Sequence, residues 1–123
     1  MPETILIVDD NESAASMTAR MLSGLGYEIL TALDGPSALA QIAGQLPDCI
    51  LLDIMMPRMS GLEVLSRLKH DPVTMGIPVI LLTAKSQDED VLIGYKEGAE
   101  YYITKPCTSR DLVYGIRLVL GKR

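Results

Sequence analysis

The chain alternates between short apolar runs and longer segments in which apolar residues recur with helical spacing. Short apolar runs bounded by proline, glycine or aspartate are typical of strands that are buried on both faces of a sheet. The predicted strands are 4–8, 27–32, 49–52, 78–82 and 101–104. A helical segment follows each strand, which predicts a parallel sheet covered on both faces through right-handed crossovers. The alternation alone leaves the strand order open.

The apolar positions of the first three helical segments predict which side of each helix faces the sheet. They are Ala14, Met17 and Met21 in the first helix, Leu39, Ile42, Ala43 and Leu46 in the second, and Leu62, Leu65 and Leu68 in the third. A fourth helix is predicted at about 88–97 and a fifth at about 109–120. Gly94 lies inside the fourth helix and is expected to weaken it relative to alanine.

Asp53 directly follows the apolar run 49–52, and Pro57 closes the stretch after it. In open α/β sheets, ligands bind beyond the carboxyl ends of the strands, so Asp53 is a candidate for chemistry. An aspartate in this place can also begin a turn or cap the next helix. Asp53 taken alone does not separate these two interpretations.

The composition narrows the class of protein. A length of 123 residues predicts one domain, 1–123. No apolar run reaches the length of a membrane span, and the N-terminus lacks the basic segment of a signal peptide, so we expect a cytoplasmic protein without a membrane partner. The net charge of -5 and the absence of Phe and Trp argue against direct binding of nucleic acid. Two cysteines, Cys49 and Cys107, do not make a disulfide framework.

Five polar residues fall at the carboxyl ends of predicted strands. Asp9 and Asp10 follow the first strand, Asp53 the third, Thr83 the fourth and Lys105 the fifth. Two like charges about 4 Å apart repel by roughly 4 kcal/mol at an effective dielectric near 20, so three converging carboxylates need cations. Lys105 supplies one positive charge, and a site of oxygen ligands suits Mg²⁺ for the rest. Carboxylate nucleophile, metal ion, lysine and hydroxyl are together the groups that phosphoryl transfer needs.

Each of these residues also has an ordinary structural interpretation. Asp9 and Asp10 could cap the first helix, and Thr83 could begin a turn. Lys105 could be a surface lysine. The common position of all five at one edge of the sheet is what favours a site.

With these motifs the chain resembles the receiver domains of bacterial two-component response regulators. The resemblance extends from Ile5 to about Leu120, and its motifs are jointly specific. They are Val8-Asp9-Asp10-Asn11, Leu52-Asp53 with Met56-Pro57 and Gly61, Thr83-Ala84, Gly98-Ala99 and Lys105-Pro106. The resemblance implies the flavodoxin-like doubly wound sheet of order 2-1-3-4-5.

The resemblance implies a phosphoacceptor and a metal site. Asp53 would accept a phosphoryl group from a histidine kinase or phosphotransfer protein in a phosphorelay. Asp10 and Asp53 would ligate Mg²⁺, Asp9 would contribute through water, and the main-chain carbonyl of Met55 would be a further ligand. Lys105 would pair with the phosphoryl group.

The resemblance also implies a switch. Thr83 would bond the phosphoryl group and move, and Tyr102 matches the aromatic residue that turns inward with it. The peptide bond from Lys105 to Pro106 would be cis, which only about 5–6% of X-Pro bonds are. Cys107 departs from the phenylalanine of many relatives, and Lys85 occupies a variable position that flanks the site.

The implied output is a changed surface on the fourth helix, fifth strand and fifth helix, which would control an output domain or target protein and could form a homodimer. Such a domain is not an enzyme beyond its own phosphorylation and slow dephosphorylation. The sequence leaves open whether the chain acts alone or belongs to a longer regulator. It also leaves open the cognate kinase, the pathway and the oligomeric state.

Three other functions are consistent with parts of the pattern. A receiver that has lost phosphorylation would work only as a docking module, but all five site residues are present. A metal-dependent phosphohydrolase of the haloacid-dehalogenase type would have Asp-x-Asp after the first strand, whereas Asp9 and Asp10 are adjacent. A flavin-binding domain is disfavoured because the first β-α loop is acidic and does not cradle phosphate.

Overall fold

The computed structural model describes residues 2–84 and 88–121, so Lys85 lies outside the described residues. Five strands alternate with five helices in this part of the chain. They are β1 (Thr4–Val8), α1 (Glu12–Ser23), β2 (Glu28–Ala32), α2 (Gly35–Gly44), β3 (Cys49–Asp53), α3 (Gly61–Lys69), β4 (Val79–Ala84), α4 (Asp88–Lys96), β5 (Tyr101–Lys105) and α5 (Ser109–Val119). Each predicted strand is present within two residues of its predicted bounds.

The strands form one parallel sheet of order β2-β1-β3-β4-β5. This is the order that the family resemblance implied. In this order β1 and β3 are central neighbours, and β3 is followed by β4 and β5. The carboxyl ends of these four strands therefore lie side by side along one edge of the sheet.

The core has two layers, one on each face of the sheet. Alternate residues of β1 and β3 point to opposite layers, which is why their sequences are apolar throughout. One layer holds Leu6, Val8, Ile50 and Leu52 against α2 and α3, and the other holds Ile5, Ile7, Cys49 and Leu51 against α1 and α5. Burial of each Leu or Ile side chain contributes about 1.5–3 kcal/mol relative to exposure.

Side-chain caps begin four of the five helices. The carboxamide of Asn11 accepts from the Ala14 amide at 3.1 Å, and Asp34 accepts from the Ser37 amide at 2.7 Å. Capping boxes begin α3 at Ser60 and α5 at Thr108. Because Asn11 caps α1, the interpretation of Asp9 and Asp10 as the cap of that helix is wrong.

The predicted inner faces of α1 and α2 are partly wrong. In α1, Ala15 and Leu22 are buried, whereas Met17 is 66% exposed. In α2, Ala38 and Ile42 are buried but Ala43 is exposed, and Leu46, which is also exposed, lies beyond the end of the helix. Each helix buries one alanine, Ala15 or Ala38, beside one large residue, Leu22 or Ile42, so the size of an apolar side chain does not by itself mark the contact.

The other predicted helices are present. In α3, Leu65 and Leu68 are buried and Leu62 packs against the core as predicted. In α4 the buried residue is Gly94, and a Cβ there would overlap the side chain of Leu81. No helix among the described residues is long and apolar enough to cross a bilayer.

Candidate functional site

The carboxyl-terminal edge of the sheet brings the predicted site residues into one region. Asp53 is the last residue of β3 and pairs in register with Leu82 of β4. Thr83 pairs with Thr104, and Ala84 pairs with Lys105 at the end of β5. Asp9 directly follows β1, and its amide donates to the carbonyl of Ala32 at 3.1 Å.

Three carboxylates and one ammonium group meet at this edge. One carboxylate oxygen from each of Asp9, Asp10 and Asp53 lies within 4.8 Å of the others. The Nζ atom of Lys105 lies 3.0 Å from Oδ2 of Asp53 and 3.5 Å from Oδ2 of Asp9. Asp9 and Asp53 are buried and Asp10 is exposed. We call these three aspartates the acidic cluster.

The donor set of the acidic cluster fits a hard divalent cation. All three side chains offer carboxylate oxygens, the ligands that Mg²⁺ and Ca²⁺ prefer, and Asp10 lies open to water. Mg²⁺ usually keeps several waters and binds through one or two carboxylates, which matches a small, half-open set of this kind. The residues that could hold the ion are therefore those that the sequence predicted.

Burial and Lys105 act in opposite directions on Asp53. Burial raises the pKa of the Asp53 carboxyl above its ordinary value, and the nearby charge of Asp9 adds to this rise. The hydrogen bond and the charge of Lys105 lower the pKa of Asp53 but do not cancel the rise. For Lys105, burial alone would lower the pKa, yet its contacts with Asp53 and Asp9 leave that pKa raised, so the lysine keeps its charge.

Backbone contacts fix the position of Asp53. Its Oδ1 atom accepts from the amide of Met55 at 3.2 Å, so the turn predicted as an alternative is also present. The amide of Gly61 donates to the carbonyl of Ile54 at 2.9 Å. A Cβ at Gly61 would overlap the main chain of Asp53 and Ile54, so only glycine lets α3 begin directly against Asp53.

Thr83 and Tyr102 lie near the site but outside the acidic cluster. Thr83 is buried, and its hydroxyl donates to the carbonyl of Ala84 at 2.8 Å. Tyr102 is 39% exposed and packs edge-to-face on Tyr95, with ring centroids 5.7 Å apart. Their roles in a switch stay predictions. The peptide bond between Lys105 and Pro106 is cis, as predicted.

One feature of the site could not be predicted from the sequence. Asp9 contacts Lys105 and also accepts a hydrogen bond from the Asn11 amide at 2.9 Å. It is therefore held both by the lysine at the end of β5 and by the loop after β1. The sequence placed Asp9 and Asp10 together without showing which one is buried. Only the direction in which the chain leaves β1 decides this.

The open parallel sheet carries the acidic cluster and the paired Lys105 at its carboxyl edge, the place where α/β sheets of this kind bind ligands. The family model of the response regulator receiver domain matches residues 5–117. The chain therefore belongs to the response regulator receiver domain family.

Two curated relatives show the range of proteins that contain such a domain. The chain is 46% identical over 120 residues to the phosphate regulon transcriptional regulatory protein PhoB of Pseudomonas aeruginosa, covering 98% of this chain and 52% of that protein. It is 47% identical over 106 residues to the response regulator PleD of Caulobacter vibrioides, covering 86% of this chain and 23% of that protein. The chain thus spans about half, or less, of the length of these relatives.

Solved structures of receiver domains have the same fold. The chemotaxis protein CheY4 of Vibrio cholerae superposes with a TM-score of 0.91 at 30% identity, covering 97% of this chain and 99% of that one. A CheY-like receiver domain protein of Methanospirillum hungatei superposes with a TM-score of 0.92 at 31% identity, covering 98% and 95% of the two chains.

Proposed function

We propose that this receiver domain is a signalling switch in which Asp53 accepts a phosphoryl group from a histidine kinase or phosphotransfer protein in the presence of Mg²⁺. The observation that carries the proposal is the ion pair of Lys105 with Asp53, 3.0 Å long, inside the acidic cluster. The proposal includes a cytoplasmic location, no membrane partner and no direct contact of this domain with nucleic acid, in line with its net charge of -5.

The proposed step is an in-line displacement at phosphorus. A carboxylate oxygen of Asp53 forms a bond to phosphorus while the bond from phosphorus to the donor nitrogen breaks. The electron pair of that bond leaves with the donor imidazole, which takes up a proton, and Asp53 becomes an acyl phosphate. Lys105, held beside the Oδ2 atom of Asp53, stabilises the negative charge on the phosphoryl oxygens.

Asp10, Asp53 and the main-chain carbonyl of Met55 would hold Mg²⁺, with Asp9 acting through water. The ion supplies further positive charge to the phosphoryl oxygens when it is bound. The chain's own contribution is to keep Asp53 in place through the Met55 amide and to exclude water from one side of it, since Asp53 is 6% exposed.

The signal would leave through α4, β5 and α5. Thr83 would exchange its bond to the Ala84 carbonyl for one to a phosphoryl oxygen, and Tyr102 would turn inward from its exposed position. The changed surface would control an output domain or target protein, or pair with a second copy. The chain would not turn over substrates as an enzyme does, apart from slow loss of its own phosphoryl group.

The test is the intact mass of the protein after incubation with acetyl phosphate, with and without Mg²⁺. We expect one added phosphoryl group that requires both Mg²⁺ and Asp53, so that Asp53→Ala gains none. Asp34→Asn is a matched control, because it changes an aspartate outside the cluster and keeps a capping side chain. A folded parent that binds Mg²⁺ and gains no mass from acetyl phosphate or from a histidine kinase would instead identify a docking module. Turnover of many phosphates per molecule would identify a phosphohydrolase.

A further inference from the structure

Lys69, the last residue of α3, points its side chain into the protein at the end of the sheet away from the acidic cluster. Its side chain is 8% exposed. The Nζ atom donates to the carbonyls of Met75 and Ile77 at 3.1 and 2.9 Å and to the carboxylate of Glu100 at 2.9 Å. The buried ammonium therefore has acceptors for all three of its N–H groups, as a buried lysine needs.

Glu100 extends this network to the first residue of β4. Its Oε1 atom accepts from the amide of Val79 at 2.7 Å, and its own amide donates to the carbonyl of Val79 at 3.0 Å. Glu100 lies between the end of α4 and the start of β5. Lys69 and Glu100 together thus join the end of α3, the start of β4 and the turn after α4.

The turn after α4 closes directly over the Lys69 side chain. The amide of Gly98 donates to the carbonyl of Tyr95 at 3.1 Å, and the amide of Ala99 donates to that of Gly94 at 2.9 Å. Gly98 has a φ of +106°, and a Cβ there would lie 3.3 Å from Cγ of Lys69. The backbone conformation requires glycine, and a Cβ there would also crowd the Lys69 side chain, so the helix end lies in close contact with the lysine.

The body of α4 is held much less firmly than this end. Leu92, Ile93 and Tyr95 are 64%, 46% and 43% exposed. The buried position within the described part of the helix is Gly94, which rests on Leu81 and brings no side chain of its own into the core. The described part of α4 therefore contacts the sheet closely at Gly94 but buries little side-chain surface before its carboxyl end.

We propose that Lys69 and Glu100 form a fixed pivot for α4, so that the response to phosphorylation is confined to the part of the helix before Gly98. The inference rests on the proposed function, since it concerns how the switch moves. Lys69 and Glu100 act here as positioning residues: they contact neither the acidic cluster nor the phosphoryl group. With its carboxyl end fixed at the pivot, α4 moves in the part before Gly98. The register of β4 and β5 is kept.

The test is amide hydrogen exchange of the full chain with Mg²⁺ alone and with Mg²⁺ and beryllofluoride, a stable analogue of the aspartyl phosphate. In the parent we expect beryllofluoride to change exchange at 90–95 by about fivefold or more. We expect the amides of 98–101 to stay unchanged. In Lys69→Met, exchange at 98–101 rises by at least about tenfold without the ligand, and these amides now respond to beryllofluoride as well.

Lys96→Met is the matched control, because it makes the same substitution at an exposed lysine of α4 and should leave the parent pattern intact. Glu100→Gln keeps the shape of the side chain and one neutral acceptor. If Lys69→Met does not fold, Glu100→Gln is the test variant, and we expect the same changes in hydrogen exchange with a smaller size. A purely structural anchor would raise exchange in both states and leave the set of responding amides as in the parent, which would overturn the pivot. A parent response that runs evenly through 98–101 would also overturn it. No ligand-induced change anywhere around Asp53 would contradict the proposed function instead.

Discussion

Lys105 donates to two carboxylates, whereas the acidic cluster contains three. Asp9 and Asp53 are buried and share this one ammonium group. Water alone therefore does not offset the repulsion between their negative charges. Asp10 is exposed and has no part in these two ion pairs. At the scale of single residues, the site therefore carries an excess of negative charge until a cation or a proton joins it.

Asp10→Asn should stabilise the metal-free protein. The substitution removes one like charge within 4.8 Å of two others while the side chain keeps its shape. Because Asp10 is exposed, the gain should lie near the aqueous limit of roughly 1 kcal/mol for charges at such a distance, and added salt should reduce it. Urea unfolding in EDTA measures the free energy of unfolding. The argument fails if the variant unfolds at a lower urea concentration than the parent.

The two cysteines should differ strongly in reactivity. Burial raises the pKa of the Cys49 thiol from 9.0 to about 12, which reduces its thiolate fraction about a thousandfold. Cys107 is only half-buried; burial, and then the charge of Asp111, raises its pKa as well. Alkylation of the native protein by iodoacetamide should therefore modify Cys107 slowly and leave Cys49 unmodified.

The control for this thiol prediction is Cys107→Ser, which leaves Cys49 as the remaining thiol. The variant should resist alkylation when native and react fully in urea. Rapid modification of Cys49 in the native variant would show that the central strand opens far more readily than its complete burial indicates.

At the scale of the elements, the strands were predictable, whereas among the helix faces the prediction held fully for α3 and only in part for α1 and α2. A strand buried on both faces is apolar at every position, so Ile50, Leu51 and Leu52 mark β3 without ambiguity. A helix that packs closely on a sheet can do so through small residues, and Ala15 of α1 therefore makes the contact while Met17 faces solvent. Residue size, rather than hydrophobicity, decides that outcome.

The positions of the site residues were predictable from the sequence, but their hydrogen bonds were not. Strand ends fix where Asp53 and Lys105 lie, because parallel strands finish at the same edge. The sequence does not show that the Thr83 hydroxyl donates to the Ala84 carbonyl, since a rotation about one side-chain bond would redirect it. Such choices depend on the packing around the side chain.

Gly94→Ala tests how closely α4 lies on the sheet. Alanine is the better helix former by about 1 kcal/mol, but its Cβ would overlap Leu81, which is 1% exposed and cannot move aside freely. Overpacking costs about 1–3 kcal/mol, so the net effect should be a loss of about 1 kcal/mol in the free energy of unfolding. Thermal or urea unfolding measures this loss.

Gly44→Ala, at the end of α2, is the matched control for Gly94→Ala, because a Cβ there meets no atom within 4 Å. It should be neutral or slightly stabilising. Adding Leu81→Val to Gly94→Ala should recover part of the lost stability. If Gly94→Ala alone is more stable than the parent, helix propensity rather than close packing governs this position, and the expectation drawn from the sequence was the better one.

At the scale of the whole molecule, the sheet joins two ends with different properties. One edge holds the acidic cluster, where we propose that a metal ion and a phosphoryl group bind. The other end holds Lys69 and Glu100, which are hydrogen-bonded to each other and to main-chain groups of Ile77 and Val79. A structural change at the first edge can therefore move other parts of the molecule relative to a region that stays fixed, as a switch between two conformations requires.

The stability of the whole protein should respond to Mg²⁺ more strongly as the pH rises. Burial raises the pKa of Asp53 above its ordinary value of 3.8, so without metal this residue favours the folded state below 3.8, and that contribution is lost as the pH rises through the folded pKa. Mg²⁺ needs the ionised carboxylate and competes with the proton. The increase in melting temperature that Mg²⁺ produces should therefore be largest at neutral pH and should shrink as the pH is lowered toward 3.8, where the proton occupies the folded-state carboxyl. Differential scanning calorimetry across this range, with EDTA as the reference, measures the increase in melting temperature.

Asp53→Asn cannot take up or lose the proton, so its smaller Mg²⁺ effect should vary less with pH. Asp34→Asn should behave as the parent does. A Mg²⁺ effect in the parent that is as large near pH 3.8 as at neutral pH would mean that Asp53 is not a ligand.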